Sequence, residues 1–281
     1  MTLPSFSPGD DPGPSFSGLL AKLGQHHGLD LTTSAEGLDI PHGTTVVAAR
    51  FAGGVVIAGD RRATSGNLIS HRTMRKVFAA DRWSAVAIAG AAGPALDMVK
   101  MFQLQLQHYE KVEGRALSIE GKANQLSQML KANLPAAMQG LVVVPIFAGY
   151  DRRRGFGRLY AYDVTGGRYE EAAYVASGSG SLFARTVIKL GHDVTMGETD
   201  ALDLLIRALF NAADDDSATG GPDSMRGVYP TVAVITSEGY RDVPDEDVAA
   251  RFEALIGSLV ETGAGRDPAP EGDPGDEEAT A

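Results

Sequence analysis

Three polar residues at strand boundaries have the types and spacing for nucleophilic chemistry. Thr44 follows Gly43 at the head of a β-branched run, "GTTVVAARFA". A threonine hydroxyl is a weak nucleophile and needs an adjacent base. An N-terminal threonine carries one in its own α-amino group, whose ordinary pKa is about 7.7–8.0. That chemistry requires cleavage of the Gly43–Thr44 bond, and it makes residues 1–43 a leader that masks the amine. Gly43, without a Cβ, is expected to let the chain turn tightly at the cut. Taken alone, Gly-Thr-Thr reads as β-formers opening a strand. Asp60, ending the second strand in "VVIAGDRRAT", and Lys76, opening the third in "MRKVF", add the polar groups the chemistry needs. In a sheet where their strands flank the first, both side chains point at Thr44. A buried Lys76 ammonium lowers the pKa of the hydroxyl and needs a carboxylate partner, which Asp60 supplies.

The elements that must position these groups are legible from periodicity. "TTVVAARFA" and "GVVIAGDRRAT" are β-branched runs joined by Gly53-Gly54, a hairpin signal. "KVFAA" and "WSAVAIAG" form another strand pair. Two helical stretches follow. One opens with Pro94 and closes near Gly114; the other starts at a Ser118 cap and runs through "SIEGKANQLSQMLKANLPAAMQG". "LVVVPIFAGYD", "GRLYAYDVTG" and "RYEEAAYVASG" read as strands, and "SGSLFARTVIKLG" and "ETDALDLLIRALFNAADDD" as helices. "YPTVAVITSEGYRDV" is a final hairpin and "PDEDVAARFEALIGSLV" a final helix. Hairpin-linked strands with helices arriving in pairs predict an α+β protein, two antiparallel sheets packed between helical layers.

The two ends differ from this body. Residues 1–17 are rich in Pro, Ser, Gly and Asp and are expected to be disordered, as is the tail "ETGAGRDPAPEGDPGDEEATA". "GLLAKLGQHHGL" is expected to form a short helix. Of the net charge of −11, residues 1–43 contribute five acids against one lysine, and residues 261–281 seven acids against one arginine. The expected organisation is a leader over 1–43, a catalytic domain over 44–260 and an acidic tail over 261–281. The nearly neutral body gives no electrostatic case for nucleic acid. No apolar run approaches the roughly 18–20 residues that span a bilayer, and the N-terminus lacks the pattern of a secretory signal. With no cysteine in the chain, disulfides, thiolate metal sites and a Cys nucleophile are excluded, which suits a reducing cytosol. His26, His27, His42, His71, His108 and His192 show no metal-ligand spacing, so no metal site is expected. "SGSGSLF" before a helix could hold an anion, but it lacks the Lys-Ser/Thr of a P-loop.

As a set, Gly-Thr-Thr, "GDRRATSG", "RKVF", "AIAGAAGPALD" and the later "DSATG" resemble a catalytic β subunit of the proteasome core particle. The similarity is to the actinobacterial form, with its long propeptide and Pro-rich acidic tail, and it covers about residues 40–260. It implies the four-layer αββα sandwich of the N-terminal nucleophile hydrolases. It also implies that Thr44 is the nucleophile, with Asp60 and Lys76 as its ion pair and Arg62 in the "GDRR" turn supporting the site. The Gly90 N–H becomes the oxyanion donor, a role commonly worth about 10²–10³ in rate. "GSG" at 178–180 makes Ser179 the partner of the Thr44 amine, with Ser177 and Ser181 close enough for a register error. "DSATG" supplies Asp216 and Thr219, the latter where the family usually has Ser. The family positions lining the primary pocket fall at Ala63, Thr64, Met74, Phe78, Ile88 and Ala92.

The resemblance therefore implies a cytoplasmic threonine endopeptidase without cofactor, made as an inactive precursor that cuts itself between Gly43 and Thr44. Its implied partners are a homo-heptameric β ring stacked on a second one, capping rings of α subunits, and an ATPase ring that feeds in unfolded proteins, some carrying a small protein tag. An unprocessed structural ring member of the same fold is the main alternative, and the intact Thr44, Asp60 and Lys76 argue against it. The shorter bacterial two-component protease has almost no propeptide, unlike the 43-residue leader here. A β-rich binding module without activity would keep its leader, which intact mass would show.

Overall fold

A computed structural model of the chain describes residues 43–262, together with Leu19 and Lys22. Leu19 and Lys22 are helical; the rest of the leader helix expected over 18–29, His26, His27, His42 and the tail beyond Thr262 lie outside the described residues.

The first hairpin is β1 (Thr45–Phe51) and β2 (Gly54–Gly59). A small hairpin follows, β3 (Ala63–Ser65) and β4 (Leu68–His71), then β5 (Val77–Asp81) and β6 (Ser84–Ala87). Helices α1 (Ala92–Glu113), α2 (Ile119–Ala132) and the short α3 (Leu134–Ala137) lead into β7 (Ile146–Asp151), β8 (Phe156–Tyr162), β9 (Arg168–Glu171) and β10 (Tyr174–Gly178). Then come α4 (Ser181–Gly191), α5 (Glu198–Asp215), the hairpin β11 (Thr231–Thr236) and β12 (Gly239–Asp242), and α6 (Asp245–Thr262).

The strands form two five-stranded antiparallel sheets, ordered β10-β1-β2-β11-β12 and β5-β6-β7-β8-β9. Side chains alternate across a strand, and the apolar residues follow that rule. Val46, Ala48, Val55 and Ile57 of the first sheet pack against Val77, Ala87, Ile146 and Leu159 of the second. On the outer face of the first sheet, Val47, Ala49 and Val56 meet Ile188, Leu205, Leu209 and Val248 from α4, α5 and α6. On the outer face of the second, Phe147 and Tyr160 meet Phe102, Leu126 and Leu130 from α1 and α2. This is the αββα sandwich expected from the element order.

Local chemistry explains the helix ends. The Ser118 hydroxyl accepts the Gly121 N–H at 3.1 Å and caps α2. Gly114, at φ 66°, ends α1 in the left-handed conformation that suits glycine. Pro94 sits inside the first turn of α1, where its missing N–H costs nothing. The stretch from Ser118 to Gly140 is two helices, not one. Pro135 lacks an N–H and its ring clashes with the carbonyl four residues back, so the chain breaks at Asn133.

Three strand expectations need correction. "RYEEAAYVASG" is split at Ala172-Ala173: β9 edges the second sheet, whereas β10 pairs with β1 in the first. "GVVIAGDRRAT" ends as a strand at Gly59, and its last residues enter the β3–β4 hairpin, unforeseen because each strand is only three or four residues long. Finally, the strand after Lys76 does not flank β1. It opens the opposing sheet, so Lys76 reaches the first sheet across the sandwich.

Candidate active site

Thr44 immediately precedes β1, in register with the inward-facing Val46 and Ala48. Thr45 falls in register with Val47 and Ala49, which face the helices. The adjacent threonines therefore open onto different layers. Both are buried, Thr44 at 5% and Thr45 at 0% exposure.

On the inner side stands a fully buried ion pair. Lys76 Nζ donates to Asp60 Oδ1 at 2.7 Å, to the Gly43 carbonyl at 3.3 Å and to the Arg62 carbonyl. All three ammonium protons thus have acceptors. Asp60 is equally well held: Oδ1 also accepts the Thr45 N–H at 2.8 Å, and Oδ2 accepts the N–H groups of Arg62 and Gly220, each at 2.9 Å. Burial pushes the Lys76 ammonium below its ordinary value, and the Asp60 carboxylate opposes that shift. The Thr44 hydroxyl donates to the Gly43 carbonyl at 2.6 Å. Arg62 ties this turn to the 216–220 loop through its guanidinium, which donates to the Ser217 carbonyl at 2.9 Å.

On the outer side, the Ser179 N–H donates to the Thr44 carbonyl at 2.9 Å. Its hydroxyl lies 2.5 Å from Asp216 Oδ2 and 3.4 Å from the same Thr44 carbonyl. Thr219 donates to Asp216 Oδ2 at 2.6 Å. Of the three candidate serines, Ser179 is therefore the one beside Thr44. Ser177 turns away to donate to the Val144 carbonyl at 3.1 Å, and Ser181 opens α4. Gly178, at φ +103°, redirects the chain between them; a Cβ there would fall 1.9 Å from the Thr44 carbonyl oxygen.

The proteasome subunit family model matches residues 40–226. A proteasome subunit beta from Acidimicrobium ferrooxidans is 55% identical over 259 residues, covering 91% of this chain and 95% of the relative. One from Streptomyces griseus is 60% identical over 224 residues, covering 80% of each. The chain belongs to the proteasome subunit family. Within that family it is a β subunit of the actinobacterial type.

Of the remaining positions singled out by proteasome resemblance, two are tied to the site by the backbone: the Met74 N–H donates to the Arg61 carbonyl at 3.0 Å and the Ile88 N–H to the Lys76 carbonyl at 2.9 Å. Gly90 follows β6 with φ +98°, and a Cβ there would lie 2.1 Å from the Val142 carbonyl oxygen. Its bridge to Val143 uses the Ala89 carbonyl and the Ala91 N–H, at 2.9 and 2.7 Å, and does not engage the Gly90 N–H. Met74, Phe78 and Ile88 share one apolar cluster between the second sheet and its helices. Ala63 and Thr64 come from β3 and Ala92 from the start of α1. Thr64 reaches the Gly43 peptide: its Oγ1 stands 2.2 Å from where a Gly43 Cβ would be, with Ala218 Cβ at 2.7 Å and the Ala218 carbonyl at 2.9 Å. A side chain on Gly43 would collide with these groups, a steric reason for glycine that the sequence does not show.

Two contributors escaped sequence reasoning. Gly220 donates to Asp60, and Thr45 Oγ1 lies 2.6 Å from Thr219 Oγ1. The small-residue run "SATGG" and the doubled threonine were the available signals. Among the described residues, no cluster of His, Asp or Glu could hold a metal ion, and no helix is long and apolar enough to cross a membrane.

Proposed function

We propose that this chain is a threonine endopeptidase that frees its own nucleophile. The observation that supports it is the buried Lys76–Asp60 pair set against the Gly43–Thr44 peptide. In self-cleavage, Thr44 Oγ attacks the Gly43 carbonyl carbon and its proton passes to the departing Thr44 nitrogen. The resulting ester to Gly43 is hydrolysed by water, which releases residues 1–43 and exposes the amine. In substrate hydrolysis the amine takes the Thr44 hydroxyl proton, through an intervening water, as Oγ attacks the scissile carbonyl. The Lys76 charge favours the alkoxide character that develops on Oγ. The Gly90 N–H stabilises the oxyanion, the leaving amine takes up the proton, and water hydrolyses the ester-linked acyl-enzyme. Asp216, Ser179 and Thr219 hold the Thr44 amine and backbone.

The two named relatives are proteasome β subunits, which supports a heptameric β ring stacked on a second and capped by α rings. An ATPase ring would supply unfolded, in some cases tagged, proteins in the cytoplasm. On this reading residues 1–43 are the propeptide, 44–260 the catalytic domain and 261–281 an acidic tail. The test is N-terminal sequencing of the chain co-expressed with its α subunit. Assembled particles should begin at Thr44; assembled particles that retain residues 1–43 and lack peptidase activity would instead make it a structural ring member.

A further inference from the structure

The proposed mechanism leaves the Thr45 hydroxyl without a role, yet it is fully buried and fully bonded. Thr45 Oγ1 accepts the Gly180 N–H at 2.9 Å and lies 2.6 Å from Thr219 Oγ1. Proton counting sets the direction of that contact. An ionised carboxylate only accepts, so the single Thr219 proton goes to Asp216 Oδ2, at 2.6 Å. The Thr45 proton must then point at Thr219. The order is Gly180 N–H to Thr45, Thr45 to Thr219, and Thr219 to Asp216. The Ser179 hydroxyl meets the same carboxylate oxygen at 2.5 Å, and the Ser179 N–H holds the Thr44 carbonyl at 2.9 Å. The run thus passes through the residue after Thr44 and returns to Thr44 itself.

A second observation shows that space is reserved for this run. A Cβ on Gly180 would lie 2.6 Å from Thr219 Oγ1, 2.7 Å from Thr45 Oγ1 and 3.1 Å from Asp216 Oδ2. Gly180 has φ −84°, ordinary for any residue. The last glycine of "GSG" is therefore demanded by the hydroxyls and not by the backbone.

We propose that Thr45 is a positioning residue for the Thr44 nucleophile: its hydroxyl aims that of Thr219 at Asp216 and so fixes, through Ser179, the Thr44 peptide. The inference rests on the threonine-peptidase reading. Chained hydrogen bonds polarise one another, so the first donor matters to the last acceptor.

The test uses assembled particles whose β chains begin at Thr44, freed from a cleavable fusion and confirmed by size. Thr45→Val keeps the shape and removes the hydroxyl; Thr45→Ser keeps the hydroxyl and removes a methyl. Thr45→Val should lose about tenfold or more in kcat, the scale of one lost buried hydrogen bond, with KM nearly unchanged. Thr45→Ser should stay within about twofold of the parent on the same scale. Gly180→Ala, which keeps every hydroxyl but pushes the run apart, should resemble Thr45→Val. A wild-type kcat in Thr45→Val, or equal losses in the Val and Ser variants, would overturn the proposal. Thr44→Ala particles are the control for the underlying reading: if they still hydrolyse peptide, the peptidase assignment fails whatever Thr45 does.

Discussion

The Nζ of Lys76 lies 3.3 Å from the carbonyl oxygen of Gly43. That oxygen belongs to the peptide on the leader side of Thr44, and it also accepts the Thr44 hydroxyl at 2.6 Å. On the proposed reading, the carbonyl attacked in self-cleavage is polarised by a cation and touched by the nucleophile while residues 1–43 are still attached. The cation stands on one sheet and the peptide on the other, so only the closed sandwich makes the contact. This supports one constellation serving first self-cleavage and then substrate hydrolysis.

Thr44→Ala should stop leader removal. The residue that replaces Thr44 has no Oγ, so the Gly43 carbonyl has no intramolecular attacker. Intact mass of assembled particles should show the full 281-residue chain. Normal loss of residues 1–43 would mean that another protease does the cutting.

Removing the Lys76 charge should cost most of the activity. Lys76→Ala leaves Asp60 buried beside an empty site, a change worth about 3–5 kcal/mol in stability, so size and melting temperature must be checked first. Lys76→Arg keeps the charge, but its planar fork does not fit three acceptors arranged around a compact ammonium. In pre-matured particles both should lose on the order of 10²-fold or more in kcat, the scale of one preorganised electrostatic group. Near-normal hydrolysis by an assembled Lys76→Ala particle would make the residue structural.

The pH profile should report the same group. Activity should rise as the Thr44 amine becomes neutral, near its ordinary value of about 7.7–8.0. It should fall again as Lys76 loses its proton. Because burial lowers the Lys76 pKa, that alkaline fall should come below 10.5, the ordinary lysine value. A profile flat up to that pH would argue against a required ammonium.

Gly43→Ala should slow processing without touching the mature enzyme. The added Cβ would stand 2.2 Å from Thr64 Oγ1 and 2.9 Å from the Ala218 carbonyl oxygen. Adding Thr64→Ala removes the nearer obstacle and should recover part of the rate. The measurement is the time course of leader loss on a denaturing gel; a single mutant that processes at the parental rate would remove the steric argument.

Peptides cut after large apolar residues should be preferred. Ala63, Met74, Phe78, Ile88 and Ala92 supply no charge to the proposed pocket, and Met74, Phe78 and Ile88 form one apolar cluster. Selectivity should be modest, since such pockets discriminate by about 1–3 kcal/mol per methylene. Fluorogenic peptides ending in Tyr or Leu should outpace those ending in Arg or Glu, and a clear Arg preference would refute the pocket assignment.

Much of this protein is written locally in its sequence. Alternation of apolar residues marked the main strands, Ser118 and Gly114 marked helix ends, and Gly-Thr-Thr with Asp60 and Lys76 marked the polar groups. The strand and helix signals each lie within a few residues, where backbone sterics and capping act. What the tertiary structure alone decided is which distant segments meet. Lys76 comes from the opposing sheet, β9 and β10 part into different sheets, and Ser179 rather than Ser177 or Ser181 arrives at Thr44 because Gly178 turns the chain. The Thr45 hydroxyl gained its partners only when residues 135 and 174 positions away packed beside it. Periodicity shows which face of a strand is buried, but the layer that face meets is set by how two sheets and five longer helices close over their common cores.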